Sequence, residues 1–360
     1  MGQAEILDTA KAEAFGERML NAVNEASLVL MTSVGHRTGL FDAMAGIEPA
    51  TSDEIAAAAG LDERYVREWL GAMVTARVVE YAPARETYRL PAEHGAALTR
   101  AAGPDNLGPF AGYIPILAAV EDEVVECFRN GGGVPYSSYP RLQEALRDDS
   151  GAVADATLLD VVLPLADGLV DRLHAGIDAA DIGCGHGHAL NLMARAFPNS
   201  RFTGYDISER GIEMARREAA ETGLENVRFE LLDLVELDRR DGFDLITAFD
   251  VIHDQAQPAE VLARVAAALR AGGTFLMVDV AASSRLEENL DHPIGPTIYT
   301  LSTLHCMTVS LAAGGAGLGT AWGEQRALEM LADAGFDRVD VKRVEGDFFN
   351  NYYVARAGSA

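Results

Sequence analysis

Apolar positions change their period twice along this chain. Residues 14–30 carry them at three- and four-residue spacing, the mark of an amphipathic helix, and residues 34–44 repeat that spacing up to Gly46. Thr51-Ser-Asp-Glu54 supplies a cap and first-turn acids for a short helix over 55–59, which Gly60 stops. Leu61-Asp62-Glu63 opens another helix over 64–76. Val78-Val-Glu-Tyr81, a turn at Pro83 and Thr87-Tyr-Arg-Leu90 then read as a two-stranded ribbon. Helix, turn, helix and ribbon make residues 1–100 a winged helix. Residues 107–128 are apolar but cut by Pro109 and Pro115, so a divided helix is expected. A stretch rich in glycine and tyrosine, 131–140, reads as a substrate-contacting loop or a plain surface connection. Helical spacing returns over 142–147 and 152–173, interrupted at Pro164. Residues 101–175 are therefore expected to be a helical linker and substrate cap.

From residue 176 the pattern becomes α/β. Strands at 177–182, 201–206, 227–231, 243–249 and 274–280 alternate with helices at 188–197, 209–222 and 259–269. That alternation predicts parallel strands joined by right-handed crossovers. After an insertion at about 281–322, a helix at 324–334 and strands at 339–344 and 351–356 close the sheet. The first strand of this part ends in Asp181-Ile-Gly-Cys-Gly-His-Gly187. Glycines at every second position let the backbone turn tightly and approach a ligand. The helix that follows points free N–H groups and partial positive charge back at the turn. This is a nucleotide-cofactor cradle. A dinucleotide fingerprint wants G-x-G-x-x-G, whereas the spacing here is G-x-G-x-G. Asp206 ends the next strand, 19 residues beyond Gly187 and close to the spacing at which a carboxylate accepts ribose hydroxyls.

Charge narrows the partners. The net charge of 29 − 55 = −26 argues against nucleic acid, because phosphate binding needs a basic surface. Between Leu20 and Arg100 there are 7 basic and 11 acidic residues, and the helix that would read a DNA groove begins Asp62-Glu63. Pairing with a second copy, a homodimer through the N-terminal domain, better suits its apolar positions. Three widely spaced cysteines, Cys127, Cys184 and Cys306, exclude a disulfide scaffold and a CxxC zinc site. No apolar run reaches membrane-spanning length. The start, Met1-Gly2, lacks secretory character, and Ile6 argues against myristoylation. A cytoplasmic location without membrane partners is expected.

Taken together and in order, the glycine turn, Asp206, Asp233 and Asp250 after successive strands, and Gly272-Gly273 before the fifth resemble class I S-adenosylmethionine-dependent methyltransferases. The motifs cover about 176–280, and the closing hairpin extends the match to the C-terminus. A winged helix ahead of such a domain further resembles small-molecule O-methyltransferases. The resemblance implies an α/β fold, a Rossmann-like seven-stranded domain over 176–360 preceded by an α-rich winged-helix domain. It implies S-adenosylmethionine as cofactor and a small-molecule acceptor. Gly183, Gly185 and Gly187 would face the methionine portion, and Asp181 would order the loop and orient the methionine ammonium. Asp206 would hold the ribose with Ile207 on the adenine, and Asp233 would accept from the adenine amino group with Leu234 beside it. Asp250 completes the set.

Ile252-His253-Asp254 resembles the segment that supplies the catalytic histidine of plant-type O-methyltransferases, so His253, with Asp254 beside it, is the candidate base. A second reading takes His253, Asp254 and the remote His305 as a two-His, one-carboxylate set. That set resembles the metal-dependent α-keto acid C-methyltransferases and implies a divalent or ferric ion. O- and C-methylation stay open at this point. Phe110, Tyr113, Tyr136, Tyr139, Tyr299, Met307 and Trp322 are candidates to line the acceptor pocket, and His186 and His188 to cap or contact the methionine carboxylate. A different class, a ligand-sensing transcriptional regulator with a methyltransferase-like receptor domain, is disfavoured by the acidic N-terminal region.

Overall fold

The first helix runs further than its apolar spacing suggests. In the computed structural model, which describes residues 7–139 and 141–358, α1 spans Thr9–Thr38. Nothing interrupts it until Gly39, which takes φ 74° and closes it, and α2 (Leu40–Ala45) starts there. Asp8 caps the start by accepting from the Lys11 N–H. The expectations placed on Met1-Gly2, Ile6 and Pro140 lie outside the described residues. α3 (Ser52–Ala59) opens with a reciprocal capping box between Thr51 and Glu54, and α4 (Glu63–Thr75) is capped by Asp62. β1 (Glu80–Ala82) and β2 (Thr87–Arg89) form the antiparallel ribbon. Phe41, Ile55, Leu70 and Met73 form the centre of this core, and the Trp69 indole N–H donates to the Met31 carbonyl at 2.9 Å. On α4, Arg64 pairs with Glu68 and Arg67 with Glu63.

The chain divides into two compact units, Met1–Pro115 and Ile116–Ala360. The segment expected to stand as a third, 101–175, is shared between them. In the second unit the helix Leu142–Thr157 loosens into a wide turn, Leu158–Val162, just ahead of Pro164 and resumes at Leu169–Ala175. Seven strands follow: β3 (Asp178–Ile182), β4 (Arg201–Asp206), β5 (Val227–Leu231), β6 (Phe243–Phe249), β7 (Leu269–Val280), β8 (Phe336–Lys342) and β9 (Asn350–Ala357). Their order is β5-β4-β3-β6-β7-β9-β8, parallel as far as β7, with β9 antiparallel to both β7 and β8.

Period-two alternation divides the strand residues between two cores. Leu245, Leu276, Tyr352 and Val354 face one side with Leu190, Met193 and Ile212. Ile246, Phe275, Met277, Tyr353 and Ala355 face the other with Val261, Leu262 and Leu331. With both faces covered, the central strands read as near-continuous apolar runs. The insertion is mostly helical, with Gly295–Leu301, a wide turn at Ser302–Cys306 and Met307–Ala312. The connection leaves β3 towards β4 and β5, then returns to place β6 on its other side. That reversal opens a crevice beyond the carboxyl ends of β3 and β6. Among the described residues no helix is long and apolar enough to cross a membrane.

Candidate active site

The glycine turn leaves β3 into this crevice. Gly183, Gly185 and Gly187 have φ 64°, 52° and 75°, a region where a β-carbon is strained. Their surroundings differ. A β-carbon on Gly183 would stand 2.5 Å from Val251, and one on Gly187 would stand 2.4 Å from Ala215 and 2.6 Å from Phe229. On Gly185 it would meet nothing within 4 Å. Only at the middle glycine would a β-carbon enter open space; at the other two the protein closes against the turn. Gly187 N–H donates to Cys184 O at 2.8 Å, and Gly185 N–H donates to Asp206 Oδ2 at 2.7 Å.

Asp206, at the end of β4, also accepts from Ser208 N–H at 2.7 Å through Oδ1. The side-chain bond to the turn at Gly185 thus comes from Asp206. Each of its oxygens retains acceptor capacity for a hydroxyl. Burial pushes this carboxyl up, and backbone N–H groups of Ser208, Gly185 and Ile207 oppose that. Ile207, next along, is 72% exposed, an apolar surface beside the acid. Asp181 is buried and faces its β6 register partner Thr247, whose hydroxyl donates to it at 2.6 Å. Burial pushes Asp181 up to about 7, against the Thr247 bond and with the Asp206 charge. Asp233 is exposed and caps its own turn, accepting from Val235 N–H at 3.2 Å. Leu234 packs into the core with Leu237, so the position expected beside an adenine is turned inward. Asp250 follows β6 with φ 56° and is exposed, and its N–H donates to Val278 O. A carboxylate-bearing residue tolerates this left-handed conformation better than most.

Beyond Asp250 the short turn Ile252–Asp254 carries the candidate base. His253 is 3% exposed, with Nδ1 2.8 Å from Asp279 Oδ1. Asp279, fully buried in β7, also accepts at Oδ1 from Val280 N–H at 2.8 Å and Trp322 Nε1–H at 3.0 Å. Three donors on one oxygen hold the carboxylate still, and it in turn fixes the imidazole with Nδ1 as donor. The Cys306 thiol also bonds to the His253 ring. Burial alone would push the His253 pKa down; Asp279 and the Cys306 thiol together outweigh it and hold the imidazole well above its ordinary range. Half-buried Asp254 is pushed up to about 6 by burial, with His253 opposing and the Asp279 and Asp206 charges adding. His305 places Nδ1 3.4 Å from Cys306 Sγ and stands edge-on to the rings of Tyr139 (4.7 Å) and Tyr136 (5.7 Å). Its Nε2 is buried with no hydrogen-bond partner, and burial pushes its pKa down to about 4.

The expected metal set does not converge. Among the described residues, the trio whose ligand atoms lie within 4.8 Å of one another is Asp250, His253 and Asp279. Asp254 and His305 fall outside it. Successive side chains on a tight helical turn diverge by roughly 120°, so His253 and Asp254 do not aim at one point. Within the trio, His253 and Asp279 are already joined by their hydrogen bond.

Other expected residues find structural partners. His188 is clamped between Glu218 at 2.7 Å and Asp155 at 2.9 Å, and its pKa rises to about 9, chiefly through the Glu218 bond. Trp322 commits its N–H to Asp279, and the Tyr299 hydroxyl accepts from Asn289. Tyr136 does approach the site: burial raises its pKa, and the Asp254 and Asp206 charges raise it further. Phe110 and Tyr113 belong to the first unit, where their rings meet at 6.1 Å. Thr247 and Asp279 escaped the sequence reading, and Trp322 entered it as a pocket-lining residue rather than as a donor to Asp279. The available signal was an acid ending the apolar run Phe275-Leu-Met-Val-Asp279.

Strand order, closing antiparallel hairpin and glycine turn at β3 together define the class I methyltransferase fold, here with an N-terminal winged helix. Residues 173–335 match the methyltransferase domain family and residues 26–100 the Rv2258c-like winged HTH domain family. Over 99 residues the chain is 35% identical to a fatty-acid O-methyltransferase of Mycolicibacterium smegmatis, covering 28% of this chain and 35% of that protein. Over 158 residues it is 34% identical to the 27-O-demethylrifamycin SV methyltransferase of Amycolatopsis mediterranei, covering 41% and 58%. The chain thus spans less than two thirds of either relative. The structure of human N-acetylserotonin methyltransferase in complex with SAM superimposes with a TM-score of 0.69 at 18% identity, covering 99% of this chain and 100% of that one.

Proposed function

We propose that this protein transfers the methyl group of S-adenosylmethionine to an oxygen of a small-molecule acceptor, acting as a homodimer, with His253 as general base. The observation that carries this reading is the glycine turn, open at Gly185 and tied there to Asp206. Asp206 would hold the ribose hydroxyls, Ile207 would cover the adenine and Asp233 would accept from its amino group. Asp181, with its pKa near 7, would ionise fully against the methionine ammonium. Bound there, the cofactor supplies an electrophilic methyl carbon on sulfur.

The protein's own work is positioning, which in such reactions supplies roughly 7–11 kcal/mol, and removal of one proton. His253 takes that proton at Nε2 while Asp279 holds Nδ1–H and balances the imidazolium. The new carbon–oxygen bond forms as the sulfur–carbon bond breaks. Oxygen is favoured as acceptor because the two relatives named above methylate oxygen according to their names. Metal-assisted C-methylation through His253, Asp254 and His305 is disfavoured by their failure to converge. The transcriptional-regulator reading is disfavoured by Arg64 and Arg67, each paired with a glutamate on α4.

Calorimetry with S-adenosylmethionine should show binding that Asp206→Ala largely abolishes. Methyl-labelled cofactor incubated with a metabolite extract should yield a labelled product with wild type and not with His253→Ala. Unchanged affinity in Asp206→Ala would overturn the cofactor site.

A further inference from the structure

α1 presents an apolar stripe to solvent. At 100° per residue, Phe15, Met19, Val23, Ala26, Leu30 and Val34 fall within about 100° of arc. All are exposed, Phe15 by 60% and Val23 by 61%. Glu17, Asn21, Asn24 and Glu25 occupy the opposite side. The C-terminal end of the same helix borders a groove of about 1000 Å³, where Met31 and Val34 face Leu61, Tyr65, Trp69 and Ala72. Tyr65 is 80% exposed at its rim. The helix cannot fill this groove with its own stripe. Phe15 and Val34 sit on one uninterrupted helix, roughly 28 Å apart.

We infer that two copies of this chain pair through α1 in antiparallel fashion, about a twofold axis between residues 24 and 25, each placing its Phe15 at the groove of the other. This rests on the homodimer reading above and fixes its register. An antiparallel pair centred there sets Phe15 against Val34, Met19 against Leu30 and Val23 against Ala26, so every stripe position meets a stripe position of the partner copy. Such self-complementarity is what an isologous contact requires. The area is sufficient: covering the apolar half of a helix about 45 Å long removes on the order of 800 Å² per copy. That is the size of a standard stable interface, about 800 Å² per partner.

Sedimentation velocity of the whole chain should give a dimer. Val23→Glu, which puts carboxylates into the apolar seam, should shift it to monomer, with an unchanged circular dichroism spectrum. Glu17→Lys on the polar side should leave it dimeric. Under mild oxidation, a mixture of Phe15→Cys and Val34→Cys chains should form a covalent dimer beyond the level of wild type and of either variant alone. A monomeric wild type would overturn both the pairing and the homodimer reading. A dimer indifferent to Val23→Glu, or one cross-linked by Phe15→Cys alone, would overturn the pairing and leave the homodimer standing.

Discussion

Alanine at Gly185 and alanine at Gly187 should fail in different ways. Both positions are left-handed, at φ 52° and 75°, so either substitution costs about 1–2 kcal/mol of backbone strain. At Gly187 the new β-carbon also meets Ala215 Cβ at 2.4 Å and the Phe229 ring at 2.6 Å. Neither atom is the end of a flexible chain, and overpacking of this kind adds about 1–3 kcal/mol. Gly187→Ala should therefore lose about 2–5 kcal/mol of stability. At Gly185 the β-carbon meets no protein atom within 4 Å and enters the space assigned to the cofactor. Gly185→Ala should lose only the strain energy but bind S-adenosylmethionine at least about tenfold more weakly, since 1.4 kcal/mol of lost contact is already tenfold. Urea unfolding without ligand measures the first quantity and calorimetry the second. Wild-type affinity in Gly185→Ala would refute the placement of the cofactor. Equal stability losses in the two variants would refute the packing argument.

Two further expectations concern protons. Because Asp279 and Cys306 hold the His253 pKa above the ordinary imidazole range, the proposed base role makes kcat/KM rise with pH on a limb above that range. Asp279→Asn removes the charge that raises it, so the limb should move to lower pH; a limb that stays in place would separate His253 from the reaction. Asp181 gives the second expectation. Its folded pKa of about 7 lies above its unfolded value, so the folded state binds more protons between the two. Stability without cofactor should therefore fall as pH rises from about 4 to about 7 and then level off. Asp181→Asn keeps an oxygen for the Thr247 hydroxyl and should flatten that fall in urea unfolding at about pH 5 and about pH 8. A fall as steep as wild type's would place the titration elsewhere.

The fold was legible because its signals are local. Alternating strands and helices, the capping box at Thr51 and Glu54, and the left-handed glycines each depend on residues within a few positions of one another. Where α1 ended was harder to see, because Gly39 terminates it and nothing at residues 31–33 breaks it. The positions of the two expected acids were legible too, since Asp181 is penultimate in β3 and Asp206 ends β4, and strand ends meet at the crevice. Their division of labour was not. That Asp206 ties the turn while Asp181 faces Thr247 follows from strand register, which spacing does not encode. The His253 partner was invisible for the same reason. Asp279 lies 26 residues on in sequence, and β6 and β7 must pair before the two meet. His253 and Asp254 looked like two ligands because they are adjacent, and adjacency on a tight turn separates side chains.

The charges in the crevice fit a reaction that moves a positive charge without creating one. Asp206 raises the Asp181 pKa, and Asp279 and Asp206 raise that of Asp254, so these buried acids stand in one another's field. Such an arrangement destabilises the ligand-free protein and favours any cation that enters. S-adenosylmethionine brings a sulfonium and an ammonium. In the proposed transfer the sulfur would end neutral and His253 would hold the proton. The positive charge would thereby cross to an imidazole held 2.8 Å from Asp279, a carboxylate fixed by three donors. A preorganised anion at the place where charge arrives is the larger part of electrostatic catalysis, because it needs no reorganisation when the proton moves. On this reading buried Asp279 would be the counter-ion beside which His253 ends each turnover.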